Sequence, residues 1–200
     1  MERLGGVLLA GGLARRMGGG DKGAKALGGA SLMERVIARV RPQVSALIIN
    51  SNAPTDDMQD FGLPIVRDAI GDHAGPLAGI LTGMEWMKAH APTVRFMASF
   101  PVDAPFVPDD LVPRLLSALI HEDAELACAT SGGRAHPVFG LWRVGLATNL
   151  RCAMEDEDMR KIDAWTARHT VAHVDFSTDP VDPFFNVNSP DDLAEAARFL

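Results

Sequence analysis

Arg15, Arg16, Lys22 and Lys25 stand close together near the start of the chain, with Asp21 as the single acid among them. The whole protein carries a formal net charge of −7, so a local excess of four cations over one acid is a sharp reversal. Ten of the 19 glycines lie between Gly5 and Gly29, and glycine lets successive backbone N–H groups reach an anion with no Cβ in the way. Bare amides combined with Arg and Lys make a site for a triphosphate. A surface loop with merely solvated cations is the competing reading. The segment follows an apolar run, Gly6 to Gly11, and the turn after a first strand is where α/β folds bind anions.

Two familiar phosphate loops do not fit. Walker A needs Ser or Thr after its GK, but Lys22 precedes Gly23. Gly18, Gly20 and Gly23 match GxGxxG, yet they lie well beyond the end of the apolar run. No acid stands about 20 residues further on to hold a ribose.

Other candidates sit where strands are expected to end. Asp103 follows "VRFMASF" and Pro101, so its carboxylate is placed to offer the hard oxygen that Mg²⁺ prefers; the alternative is a cap on the turn before Pro105. Asn50 ends "ALIIN" and Asp68 ends "PIVRD". Gly75 and Gly79 in "GPLAG" allow close backbone approach, unless they serve only the helix entry at Pro76. Asn186 and Asn188, two apart on an extended segment, can face one side; an Asx cap before Pro190 is the alternative for Asn188. Arg134 and His136 suit an anionic substrate, although His136 before Pro137 could be only a turn residue. His169 and His173, four apart, invite a zinc reading, but Thr170 and Val171 favour a strand and no third ligand is evident. Trp86, Trp142 and Trp165 are expected in the core.

The elements that must hold these residues alternate. After the first apolar run, Ser31-x-x-Glu34 heads a helix with Leu32, Met33, Val36, Ile37 and Val40 at helical spacing, stopped near Pro42. Strands are expected at Ala46–Asn50 and Pro64–Asp68, then a helix from Pro76 and a strand at Val94–Phe100. A helix from about Asp109 to Ile120 and the strand "ELACAT" follow. In the second half, "GGRAHPVFGLWR" looks like a turn into a strand, residues 146–168 look helical, and "TVAHVDF" is a strand. The alternation predicts an α/β fold with a mostly parallel sheet, whose ligands sit at the carboxyl ends of its strands.

The totals agree with a soluble globule: 200 residues, 47% hydrophobic and 22% charged, expected to form one domain over 1–200. A pI near 5.3 argues against a general nucleic-acid binder, and any anion site must be local. Cys128 and Cys152 form no CxxC pair and are expected as reduced thiols. No stretch reaches the roughly 20 apolar residues of a membrane span, and the opening apolar run is short for a signal peptide, so a cytoplasmic protein is expected.

"LAGGLARRMGGGDK" resembles the LAGGxxxRMGxxDK motif of molybdenum cofactor guanylyltransferases, within the nucleotidyltransferase superfamily. The likeness continues in family order through "GPLAGI", "FPVDAPFVPDDL", "RAHPVFGLW" and "FFNVNSPDDL", and so spans nearly the whole chain. Val102 stands where many relatives have Cys. The resemblance implies a three-layer α/β sandwich of Rossmann-like type. Its first 125 or so residues would bind nucleotide, and residues from about 126 to 200 would bind a pterin. It implies transfer of GMP from GTP to molybdopterin cofactor with Mg²⁺ as cofactor. Further partners would be other cofactor-biosynthesis proteins and recipient molybdoenzymes.

On this resemblance Arg16, Lys22 and Asp103 are catalytic, and Asp103 holds the metal. Leu9, Ala10, Gly11, Gly12, Lys22, Asn50, Asp68, Gly75, Gly79 and Asp103 bind nucleotide. Arg134, His136, Asn186 and Asn188 serve the pterin. Either Asn50 or Asp68 could read the base, since a carboxylate accepts paired hydrogen bonds from guanine N1–H and its 2-amino group. The rival readings are a CTP-dependent enzyme of the same family, whose members tend to carry LAAG in place of "LAGG", and a non-catalytic nucleotide-binding carrier of the finished cofactor.

Overall fold

A chain whose apolar runs are short and separated by amphipathic helices has to cover both faces of a central sheet, and this one does. The computed structural model describes residues 3–11, 26–71 and 75–200. In chain order the elements are strand β1 (Leu4–Leu9), the two-residue strands β2 (Ala26–Leu27) and β3 (Ala30–Ser31), helix α1 (Leu32–Val40), β4 (Ala46–Asn50) and the single turn α2 (Asp56–Gln59). Then come β5 (Ile65–Val66), α3 (Pro76–His90), β6 (Phe96–Pro101), α4 (Leu111–His121), β7 (Leu126–Ser131) and β8 (Arg134–Arg143). Helices α5 (Ala147–Asp156) and α6 (Ile162–Thr166), strand β9 (Val171–Phe176) and helix α7 (Pro190–Ala196) complete the list.

Seven strands form one sheet in the order β5-β4-β1-β6-β8-β7-β9, and β2 pairs with β3 separately. Strand β8 runs antiparallel to β6 and β7; the remaining pairs in the large sheet are parallel. The carboxyl ends of β1, β4, β5, β6, β7 and β9 therefore share one edge, and the start of β8 joins them there. From β1 the chain moves outward to β4 and β5, then returns to place β6 on the other side of β1. The gap between β1 and β6 is thus the topological switch point, where open α/β sheets bind ligands.

Strand residues alternate between two apolar layers. On one face Leu8, Ile49, Phe100 and Leu141 meet Met33, Val36 and Ile37 of α1 and Leu111, Leu115 and Leu119 of α4. On the other, Val7, Ile48, Met97 and Trp142 meet Leu77, Ile80, Leu81 and Met84 of α3, with Leu150 of α5 and Trp165 of α6. The result is helix, sheet, helix. Each fully buried large side chain contributes about 1.5–3 kcal/mol by leaving water, so these layers fix the strand ends firmly.

Local signals explain the boundaries. Ser31 and Glu34 form the expected capping box of α1, and the chain tightens into a 3₁₀ turn at Arg41–Gln43 as Pro42 removes an N–H. The helical stretch expected over 146–168 is two helices, because residues 157–161 leave the helix and Asp158 takes a positive φ of 54°. The strand expected at Pro64–Asp68 is paired only at Ile65 and Val66, so Asp68 lies in the loop beyond it.

Candidate functional site

At the switch point Leu9 of β1 pairs with Pro101 of β6, and the N–H of buried Ala10 donates to the carbonyl of Asn50 at 2.9 Å. Gly11 is exposed directly beyond. Gly12, Arg15, Arg16, Lys22 and Lys25 lie outside the described residues. Leu27 of β2 clusters with Phe106 and Val187. Both flanks of the glycine-rich segment therefore stand beside the turn that carries Asp103.

Asp103 sits two residues past the end of β6. Its carbonyl accepts from the N–H of Val187 at 2.8 Å, which ties the chain's late extended segment to the switch point. Its Oδ1 is shielded from solvent, while Val102 before it is 1% exposed and packs in the core.

A clamp of amides occupies the neighbouring strand ends. Asn50 is buried, and its Nδ2 donates to the Val66 carbonyl at 3.2 Å and to Asp68 Oδ1 at 2.8 Å. Asn52 Nδ2 donates to Asp68 Oδ2 at 2.7 Å, and Asn52 Oδ1 accepts from the Asp68 N–H at 2.8 Å. Thr82 of α3 donates to the Ala78 carbonyl and accepts from the Ala69 N–H, pinning the loop to the helix. Each carboxylate oxygen of Asp68 accepts one such bond and keeps a further lone pair, so an incoming pair of N–H groups can still be taken. Asn50 orients this carboxylate rather than standing apart from it. Asn52 escaped the sequence reading, although an amide two residues past a strand-ending Asn was a usable signal.

Gly75 and Gly79 earn their place differently. Gly75 caps α3 at φ 73° and ψ −168°, a region reserved for glycine, and among the described residues only the Arg160 carbonyl would approach an added Cβ, at 3.8 Å. Gly79 lies on the buried face of α3, where a Cβ would meet Asn50 Oδ1 and would stand 2.6 Å from Leu9 Cδ2. The helix touches the clamp because residue 79 has no side chain.

In the second half, Asn186 and Asn188 are exposed and Val187 between them is buried, so the two amides share a side, as their spacing predicts. The Asx-cap alternative for Asn188 is incorrect. Ser189 caps α7, its Oγ accepting from the Asp192 N–H at 3.1 Å. The Asn188 and Ser189 N–H groups both donate to Asp192 Oδ2 at 2.8 Å, and these bonds lower the Asp192 pKa. The cap is complete without the Asn188 side chain.

His136 is likewise no turn residue: it lies within β8, paired with Ala129 beside a register shift in β7. Its Nε2 is 2.8 Å from Ser131 Oγ, and Ser131 Oγ donates to Asp182 Oδ1 at 2.9 Å. Arg134, exposed at the start of β8, is two residues away and on the same face of the strand. Ser131 and Asp182 escaped the sequence reading because nothing local marks a serine and an aspartate 51 residues apart.

The donor set suits a hard cation that brings its own ligands. Asp103 supplies a carboxylate, and Asn186 and Asn188 flank the residue bonded to it. Among the described residues no three His, Cys, Asp or Glu side chains converge as a closed metal cage would need. One carboxylate leaves the other positions of a hard divalent cation open to water and ligand oxygens and does not make a structural zinc site. His169 is engaged elsewhere, its Nδ1 3.3 Å from Glu125 Oε2. Trp142 and Trp165 are buried, while Trp86 is only partly buried and stacks on His90 with ring centroids 4.7 Å apart. Among the described residues no helix is long and apolar enough to cross a membrane.

Comparison with known proteins agrees with this geometry. Residues 6–172 match the MobA-like NTP transferase domain. Proteins named molybdenum cofactor guanylyltransferase are similar over most of their length: one from Nitrobacter hamburgensis is 51% identical across 96% of this chain and 92% of its own. One from Bradyrhizobium is 50% identical across 96% and 91%. The fold is similar to that of a molybdopterin-guanine dinucleotide biosynthesis protein A from Archaeoglobus fulgidus, with 21% identity, a TM-score of 0.69 and 97% of each chain covered. It is also similar to that of a CMP:2-keto-3-deoxy-manno-octonic acid synthetase complexed with CTP, with 13% identity, a TM-score of 0.73 and 98% of each chain covered. A nucleotidyltransferase sheet with its switch point at Asp103 and relatives near 50% identity together place the chain in the molybdenum cofactor guanylyltransferase family, with its MobA-like NTP transferase domain.

Proposed function

We propose that this enzyme transfers GMP from GTP to molybdopterin cofactor, giving the guanine dinucleotide form and pyrophosphate, with Mg²⁺ as its metal. The observation that carries the reading is the junction at Asp103: the end of β1, the end of β6 and the 186–188 segment meet there. Residues from about 1 to 125 serve the nucleotide and those from about 126 to 200 the pterin.

The reaction needs no covalent nucleophile from the protein. A phosphate oxygen of the pterin attacks the α-phosphorus of GTP, and pyrophosphate leaves from the opposite side. Two anions must meet, so the chain's task is alignment and neutralisation of charge. Leu9, Ala10, Gly11 and Gly12 bring backbone to the nucleotide, and Asn50 holds Asp68 toward the base. Gly75 and Gly79 keep the helix close without intruding. Arg16 and Lys22 neutralise the departing phosphates. Asp103 holds the metal, which when bound would polarise the α-phosphate and offset its charge. Asn186 and Asn188 orient the pterin phosphate on the opposite side of Asp103, with Arg134 and His136 further out.

The test is product analysis after mixing the protein with Mg²⁺, molybdopterin cofactor and either GTP or CTP. A guanine dinucleotide and pyrophosphate are expected. A cytosine dinucleotide would reassign the base, and nucleotide binding without turnover would make the chain a carrier.

A further inference from the structure

The hydrogen bonds around Ser131 fix more than a position. As a carboxylate Asp182 only accepts, and its Oδ1 takes both the Ser131 hydroxyl at 2.9 Å and the Phe184 N–H at 2.9 Å. Ser131 is 2% exposed, and its one hydroxyl proton is spent on Asp182. Toward His136 its oxygen is left as an acceptor, so the Nε2 atom at 2.8 Å must carry a proton. In the neutral ring Nδ1 is then bare. Among the described residues Nδ1 has no hydrogen-bond partner, and His136 is only partly buried.

The ring cannot turn freely to undo this arrangement. Phe184 packs against it at 4.8 Å between centroids and Phe139 at 6.4 Å, and Phe184 is itself buried against Phe139 and Phe176. The edge carrying Nδ1 is thus held at the start of β8, on the same sheet edge as Asp103.

We propose that Ser131 and Asp182 are positioning residues that hold His136 in the Nε2-protonated tautomer, so that Nδ1 accepts a hydrogen bond from an N–H group of the second substrate's heterocycle. This rests on the reading of that substrate as a pterin, whose ring offers amide and amino N–H donors; it reverses the expectation that His136 serves an anion. A bare imidazole nitrogen repels phosphate oxygen, and the exposed Arg134 beside it is the group left for negative charge. Burial lowers the His136 pKa, against Asp182, which raises it, and with Arg134, which also lowers it. The neutral form is therefore present at pH 7.

Long-range ¹H–¹⁵N spectra of the full-length protein at pH 7.5, with His136 assigned by its loss in His136→Phe, read the tautomer directly. A protonated Nε2 and bare Nδ1 are expected, and a protonated Nδ1 overturns the proposal. In GMP transfer, Ser131→Ala is expected to raise KM for the pterin substrate about tenfold, the scale of one lost hydrogen bond, with KM for GTP unchanged. An unchanged pterin KM, or equal rises in both, would also overturn it. Absence of GMP transfer by the unaltered protein would sink the proposed function while leaving the tautomer result standing.

Discussion

The two ends of the site's sheet edge are built on different plans. From β5 to β6 the strands are parallel and short polar residues stand at their ends: Asn50, Asp68 and Asp103, with Gly79 cleared beneath them. From β8 to β9 an antiparallel strand is inserted, and its functional groups are reached from far along the chain, Asp182 meeting Ser131 and Val187 meeting Asp103. The first plan repeats one rule at each strand end, and it suits the part of a substrate common to a superfamily. The second depends on hydrogen bonds between residues far apart in the sequence, so it can change without disturbing the first.

The largest effect should come where the two plans meet. Asp103→Asn keeps the shape and removes the charge; it is expected to lower kcat by about 10² or more, as losses of charge stabilisation do, with GTP binding still detectable by calorimetry. Full activity would remove Asp103 from the mechanism. Next is Gly79→Ala, whose Cβ would press on Asn50 and Leu9. A loss of about 1–3 kcal/mol in unfolding free energy is expected from overpacking, with a raised KM for GTP and an unchanged KM for the pterin. Equal change in both would blur the division between halves.

Asn52→Ala should act on the same side and more weakly. It removes both hydrogen bonds between Asn52 and the half-buried Asp68, each worth about 1 kcal/mol or less where water can take its place, and a several-fold rise in KM for GTP is expected at saturating pterin. The smallest effect concerns neither substrate. Cys128 is buried and its thiol is pushed up to about 11, chiefly by burial, while Cys152 is exposed. At pH 8 a maleimide should label Cys152 within minutes and leave Cys128 unmodified until the protein is unfolded, as mass spectrometry of tryptic peptides would report.

The same contrast decided what was legible in the sequence. Ala46–Asn50, the capping box at Ser31 and the helix from Pro76 follow from residues within a few positions of one another, so their signals are local. Asn50, Asp68 and Asp103 could be placed at one edge because parallel strands put all their carboxyl ends together. The antiparallel course of β8, the pairing that removes His136 from a turn, and the Ser131–Asp182 contact rest on partners across the chain, which no window of sequence contains. The break between α5 and α6 was missed for a related reason: packing of Trp165 beneath Trp142, with centroids 5.9 Å apart, sets where the second helix lies.

The central claim is that both plans serve a single cavity bridged at Asp103. Equilibrium displacement by the guanine dinucleotide product tests this directly, using labelled GTP and labelled molybdopterin cofactor bound separately to the protein with Mg²⁺. A product spanning one continuous site should release both ligands, each at one product molecule per chain. Release of only one, with the other still bound beside the product, would contradict the account.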